Sequence, residues 1–412
     1  MSKGIKVIVV GGGAAGMMAA ISARRLGAEV TILEKNPRVG KKILATGNGR
    51  CNFTNINAGP TCYHGNNPQF VVPALEKFSV KETLKFFEDL GIAPKVEERG
   101  KVFPMSDQAS SFLDVLLYEL QELEINTICE AEVTEIKKED GTFRLRIRDG
   151  REFLGDKVIL TPGGKAMPSS GSDGKSYDLV RKFGHTIVDI FPALVQIMLE
   201  GPFFKRIQGV KLVGTAEIIH NDKSLVKDRG DILFTNYGVS GPPILQISRK
   251  AGELLQDGED VYLKINILDT IPKEDLRKFI AKRLRTANQK PLDFSLVGLI
   301  NKRLIPVILA EAGFKDLKRP AVELSNKERE TIVNILTDWR FKIRGTKGWQ
   351  SAQVTAGGVD TREINPETME SKIVKGLYLA GEILDIDGLC GGFNLQWAWS
   401  SGYVAGQSAV LH

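Results

Sequence analysis

Ile5 to Val10 is a short run, apolar but for Lys6 and bounded by glycine, too short for a helix, and it predicts a buried β-strand. Ala14 to Leu26 is apolar and alanine-rich with no polar face, which predicts a buried helix closed by Gly27. Val30 to Leu33 repeats the strand pattern and ends in Glu34, completing a βαβ unit. After a Gly/Asn-rich loop over residues 40–57, Ser79 and Glu82 have capping-box spacing. They precede an amphipathic helix that carries Leu84, Phe87 and Leu90 and stops at Gly91. Another helix is predicted from about Ser110 to Leu123. Between Ile128 and Arg148, Val133 and Ile136 followed by Phe143, Leu145 and Ile147 alternate as in a hairpin, with its turn at Asp140-Gly141. Val158 to Leu160 is a short strand running into Thr161-Pro162-Gly163-Gly164, and a helix is expected from about Gly174 to Phe183.

The texture then changes. From Ile187 to about Ile267 the pattern predicts short β runs broken by Gly, Pro and Asn, and from Pro272 to about Trp339 it becomes helical. Past Trp349 come a Gly-rich loop, a strand (Gly376 to Ala380), a second Gly-rich loop and a final helix (about Asn394 to Val410), the style of the opening again. A chain of 412 residues exceeds the roughly 250–300 that one core usually serves. The division expected is a discontinuous domain of residues 1–190 and 350–412, a β-rich insert over 191–269 and a helical subdomain over 270–349.

Composition narrows the classes. Apolar residues at 42% and charged residues at 26% exclude long disorder and fibrous repeats. The N-terminal lysines and apolar run imitate an export signal, but Gly11, Gly12, Gly13 and Gly16 would break its helix. No run reaches the ~18 apolar residues of a membrane span, so a cytoplasmic protein without a membrane partner is expected. Four scattered cysteines without a CxxC pair read as reduced thiols, and four histidines assemble no metal signature, so no metal is expected. The net charge of +6 is uneven: residues 270–350 carry 18 Lys+Arg against 9 Asp+Glu, a balance of +9, which leaves −3 for the rest. Such a segment can meet nucleic acid or an anionic substrate, or simply form a solvated helical face. Glycine is concentrated too: 24 of the 42 lie in residues 1–50, 141–184 and 376–406.

The first glycine cluster carries a motif. Gly11-x-Gly13-x-x-Gly16 lies between a predicted strand and a predicted helix that starts with Ala14 and Ala15, and Glu34 followed by Lys35 ends the next strand. One glycine makes the tight turn, the next lets backbone approach a pyrophosphate, and the third lets helix and strand pack closely. The helix N-terminus offers free N–H groups to the phosphates and the acid accepts from ribose hydroxyls. A dinucleotide site follows. FAD rather than NAD is indicated by the strand ending in Gly381-Glu382, placed to hold ribitol and phosphate. Asp387 and the run Gly391-Gly392-Phe393-Asn394 then enter a helix whose N-terminus can face a flavin ring and favour negative charge on it.

The run Gly40 to Asn55, containing Thr46-Gly47-Asn48-Gly49-Arg50-Cys51-Asn52, resembles the BaiN-type family of bacterial NAD(P)/FAD-dependent oxidoreductases, which includes enzymes called aminoacetone oxidases. So do Phe234 to Pro242, Val354 to Val359 and Glu382 to Gly402, and the resemblance covers the whole chain. It implies non-covalent FAD, an α/β fold with a discontinuous Rossmann-like FAD-binding domain, an inserted β-rich domain and a small helical subdomain. It also implies cytoplasmic flavin redox chemistry.

Further cofactor contacts are expected from Lys42, Thr46, Gly47, Asn48, Arg50 and Asn52, and from Val133, Thr161, Gly163 and Gly164. Candidates for catalysis are Tyr237 and His64 as proton donors and Cys51 as a thiol; Cys51 and Cys390 read first as small packing residues, with a redox pair as the alternative. Trp397 and Trp399 read as core. The expected reaction is hydride transfer between flavin and a small organic substrate held between the Rossmann-like domain and the insert. NAD(P)H, as a transient co-substrate, or oxygen serves the other half-reaction. With a single GxGxxG, no dedicated nicotinamide domain is expected. Nucleic acid is not expected as a partner; the alternatives are a flavoprotein acting on tRNA and a flavin-binding redox sensor without turnover. Oligomeric state is left open.

Overall fold

Five short strands form a parallel sheet: β1 (Lys6–Val10), β2 (Glu29–Leu33), β3 (Asn126–Ile128), β4 (Lys157–Leu160) and β5 (Leu377–Leu379). The computed structural model describes residues 4–412. The sheet order is β5-β4-β1-β2-β3, with Val9 opposite Ile159 and Ile32 on its two sides. Parallel strands need cover on both faces, which is why β1, β4 and β5 read as nearly continuous apolar runs, whereas the edge strand β3 is Asn-Thr-Ile and only partly buried. Helix α1 (Ala14–Arg25) connects β1 to β2, and α2 (Phe393–Leu411) closes the chain. The two helices meet at very short range: a Cβ at Gly402 would lie 2.4 Å from the Ala15 carbonyl oxygen, and one at Gly406 2.3 Å from that of Ala19. Trp397 and Trp399 on α2 are buried, and the Trp399 indole donates to the Phe53 carbonyl at 2.9 Å.

The chain divides into two compact units, the first running to Phe191 and resuming at Gln353–His412, the second Pro192–Ala352. In the first, Ser79 and Glu82 form the expected capping box on the helix Val80–Asp89. The hairpin Val133–Glu139/Thr142–Ile147 turns at Asp140 and Gly141, both with positive φ. The helix expected from Gly174 is only Tyr177–Arg181.

The second unit is a closed antiparallel barrel of six strands: Ile197–Leu199, Gly238–Ser240, Lys223–Thr235, Lys211–His220, Tyr262–Asn266 and Trp339–Thr346 in spatial order. Two of its strands are 10 and 13 residues long, not the short runs expected, and the region also contains the 15-residue helix Pro242–Gln256. Pro242 and Pro243 stand in the first turn of that helix, where a missing N–H costs nothing, so residues that suggested a break mark a start. The helices Lys273–Arg285, Ile305–Glu311 and Asn326–Thr337 are inserted between two barrel strands, and Leu276, Ile280 and Leu336 share one core with Ile265 and Trp339.

Candidate cofactor site

A cavity of 440 Å³ opens at the carboxyl ends of the parallel strands, within the range usual for ligand sites, and every residue lining it belongs to the first unit. Its wall contains Val10 to Ala15, Leu33 to Asn36 and Gly381-Glu382, the ends of β1, β2 and the segment after β5. The three glycine clusters therefore converge, represented by Gly11, Gly163 and Gly381 among others.

The fingerprint glycines have separable jobs. Gly11 has φ +101, and a Cβ there would lie 2.5 Å from the Thr161 oxygen. At Gly16 a Cβ would come 1.9 Å from the Gly11 oxygen, so Gly16 permits helix against strand and does not line the cavity. Gly13 caps α1, and a Cβ there meets no protein atom within 4 Å, so the side of the loop facing the cavity is left open. With no acid in its first turn and Arg24 and Arg25 in its last, α1 presents an unneutralised positive end to a phosphate. These features fit a dinucleotide pyrophosphate.

Glu34, at the rim, accepts from the Gly12 N–H at 2.8 Å and from the Asn36 backbone and side-chain N–H groups at 2.8 and 2.7 Å. Lys35 is ion-paired with Asp173 at 2.8 Å. Burial opposes ionisation of Asp173, but the bonds from Lys35 and the Lys175 N–H hold its carboxyl below the ordinary range. Across the cavity wall Lys42 Nζ meets Glu382 Oε2 at 2.6 Å, while Glu382 Oε1 accepts from the Thr355 N–H and hydroxyl at 3.0 and 2.9 Å. Residues 340 positions apart are thereby joined where flavin and ribitol are expected. Thr355 was visible in the sequence only within a motif; its task of fixing Glu382 is a matter of tertiary geometry.

Of the other candidates, Ala14, Ala15, Thr46, Val133, Thr161 and Asn394 line the cavity, whereas Gly47, Asn48, Arg50, Asn52, Gly164, Asp387, Gly391, Gly392 and Phe393 do not. Arg50 is placed elsewhere than expected. Its guanidinium bonds Glu97 at 2.9 Å and Asp107 at 3.2 Å and lies 3.9 Å from the Phe103 ring centroid, with Lys95 completing the network at 2.6 Å from Asp107. This network fixes a loop whose backbone turns left-handed at Gly47, Asn48, Gly49 and Cys51. Behind it, a Cβ at Gly392 would lie 2.3 Å from the Thr54 oxygen, and Asn55 donates to the Gly391 oxygen at 2.8 Å. The Asn52 side-chain oxygen is buried without a hydrogen-bond partner beside Gly392, an orphaned acceptor that a bound donor can satisfy.

His64 pairs with Asp387 in a two-residue ladder through its backbone and does not line the cavity. Cys51 is fully buried, and burial pushes its thiol up to about 12 against an opposing hydrogen bond involving Thr46, so it is a neutral thiol at physiological pH. No disulfide is present among the four cysteines. Tyr237 belongs to the second unit, at the tip of a barrel hairpin, with Lys347 Nζ 4.6 Å from its ring centroid. Among the described residues there is no cluster of His, Cys, Asp and Glu that could hold a metal, and no helix is long and apolar enough to cross a membrane.

A parallel sheet, a glycine-rich turn at a helix N-terminus and an acid-ended second strand define a dinucleotide-binding protein of the flavoprotein type. The chain belongs to the family described as HI0933-like protein Rossmann domain, whose model matches residues 5–408. It is 40% identical to the 3-dehydro-bile acid delta(4,6)-reductase of Clostridium scindens, over 98% of this chain and 99% of that one. It is 32% identical to the ribosomal RNA dihydrouridine synthase of Escherichia coli strain K12, over 98% and 97%. In fold it resembles the 3-ketosteroid-delta4-(5alpha)-dehydrogenase of Rhodococcus jostii RHA1, with a TM-score of 0.51, 16% identity and coverage of 99% and 97%. The protein is an FAD-dependent oxidoreductase, which sets aside a sensor without turnover.

Proposed function

We propose that this protein reduces a carbon–carbon double bond conjugated to a carbonyl group in a small organic substrate, with NAD(P)H as the electron source. One observation carries the reading: two relatives that match nearly the full chain are named for different substrates but for one kind of chemistry, saturation of a C=C bond beside a carbonyl. FAD, when bound, supplies hydride. The chain's own residues would hold and tune it: the open backbone at Gly13 and the α1 N-terminus would take the pyrophosphate, Glu34 the adenosine ribose, and the Lys42–Glu382 pair the ribitol. Asn394, in the first turn of α2, brings that helix's positive end to the cavity, where it favours negative charge. The test is an anaerobic titration of the FAD-loaded protein with NADH and NADPH, followed by addition of a 3-oxo-Δ4 steroid or a cyclic enone. Bleaching of the flavin by a nicotinamide and its return on adding the enone are expected. Reoxidation by oxygen alone would make the protein an oxidase and sink the reading.

A second reading, reduction of a uracil ring within RNA, is favoured by the +9 balance of residues 270–350. Uracil presents the same conjugated C=C–C=O unit. The relative's name points to ribosomal RNA rather than the tRNA of the alternative that charge suggested. Dihydrouridine formed in an RNA transcript by the enzyme with NADPH, and none of it without the enzyme, is the outcome this reading requires.

A further inference from the structure

Helix Lys273–Arg285 buries Leu276, Ile280 and Leu284 completely in the core of the second unit. Its 3.6-residue period therefore turns Lys278, Phe279, Lys282 and Arg285 to solvent. Phe279 is 42% exposed, and Phe294, on the short helix Leu292–Ser295, is 57% exposed. The two elements are tied together by Arg283, which donates to the carbonyl oxygens of Ser295 at 2.7 Å and Val297 at 2.6 Å and lies 6.0 Å from the Phe279 ring centroid. Some cations of this segment are matched by acids, Arg277 with Glu330, Arg319 with Glu328 and Arg340 with Asp338. Lys278 reaches only Asp275, at 3.9 Å, and Lys282, Arg285 and Lys290 pair with no carboxylate among the described residues.

We propose that this face docks single-stranded RNA, with phosphates on Lys278, Lys282, Arg285 and Lys290 and bases stacked on Phe279 and Phe294. Cations unmatched by acids call for a polyanion, and flat exposed rings set among them suit bases, which every single strand presents. An anionic membrane is the poorer occupant, because the apolar face of this helix is spent in the core and only single aromatic rings remain outside. The choice of RNA rests on the second functional reading, whereas the surface rests on its own geometry.

The experiment is fluorescence anisotropy of a labelled oligouridine RNA with the full-length, FAD-loaded protein. If three or four phosphates are contacted, affinity falls roughly 20- to 50-fold between about 50 and 200 mM salt. Lys282→Ala with Arg285→Ala is expected to reduce the salt slope by about 1.4, and Phe279→Ala to weaken binding about tenfold with the slope unchanged. Unaltered melting and FAD content in each variant confirm the fold. Variants that bind like the wild type would overturn the surface while leaving the RNA reading intact. A wild type that binds no RNA would overturn both, and equal binding of oligodeoxythymidine, or preference for phosphatidylserine vesicles, would overturn RNA as the occupant.

Discussion

Gly13 and Gly16 stand three residues apart in one motif and answer to different constraints. A methyl at Gly13 meets no protein atom and suits its φ of −82°, so Gly13→Ala should leave the apoprotein's melting temperature unchanged while obstructing the cofactor's approach. A steric penalty of about 1–3 kcal/mol corresponds to roughly 5- to 150-fold weaker FAD binding, read by flavin fluorescence titration. Gly16→Ala puts its methyl into the Gly11 carbonyl, and the apoprotein itself should be destabilised by about 1–3 kcal/mol or more. Equal effects of the two on apoprotein melting would refute the division of labour. At Arg50 the prediction concerns pH. The hydrogen bond from Arg50, then that from Lys95, holds Glu97 below its ordinary carboxyl range, and Lys95 chiefly does the same for Asp107. A depressed carboxyl contributes stability that is present above its unfolded value, about 4.3 for Glu, and lost as pH falls through the folded value. Glu97→Gln should therefore melt slightly below wild type at neutral pH, with the gap closing in the acid range below about pH 4. A gap that persists there would show that the network's charge is not what holds the loop.

At the level of elements, the α1–α2 contact has the least tolerance, because Gly402 and Gly406 lie one helical turn apart and both face backbone oxygens of α1. Gly406→Val should cost about 1–3 kcal/mol, a fall of several degrees in melting temperature for a unit of this size, and, with the phosphates at the α1 N-terminus as proposed, release FAD. A variant with wild-type melting and FAD content would exclude that role. Four of the five sheet strands, α1 and α2 were legible because buried parallel strands, glycine stops and the Ser79/Glu82 box are local signals, whereas the edge strand Asn126–Ile128, short and polar, gave none. The helix Pro242–Gln256 was not, since its two prolines carry opposite meanings inside a helix and at its first turn, and only context chooses between them. Arg50 shows the same limit at the site. A basic residue in a glycine-rich loop reads as a phosphate ligand until Glu97 and Asp107, about 50 positions on, are brought against it. Lys42 and Glu382 were each singled out in the sequence and both line the cavity, but their pairing exists only in three dimensions.

For the whole molecule, the apolar interior is split into two clusters, one in each unit, and the cavity is lined by the first unit alone. A ligand stabilises whatever it binds only in the native state, by RT ln(1 + [L]/Kd), which is about 2.7 kcal/mol at a hundredfold excess over Kd. Scanning calorimetry of the apoprotein should therefore resolve two transitions, and adding FAD should raise the one that belongs to the Rossmann-like unit. That transition can be assigned with Gly16→Ala, which lowers it. The other can be assigned with Ile280→Ala, which opens a cavity in the core of the barrel unit and destabilises that unit by about 2–5 kcal/mol. Each mutation should leave the opposite transition in place. If FAD raises both transitions equally, or if either mutation lowers both together, the two cores unfold as a single cooperative system and the division into a cofactor unit and a separately stable unit fails.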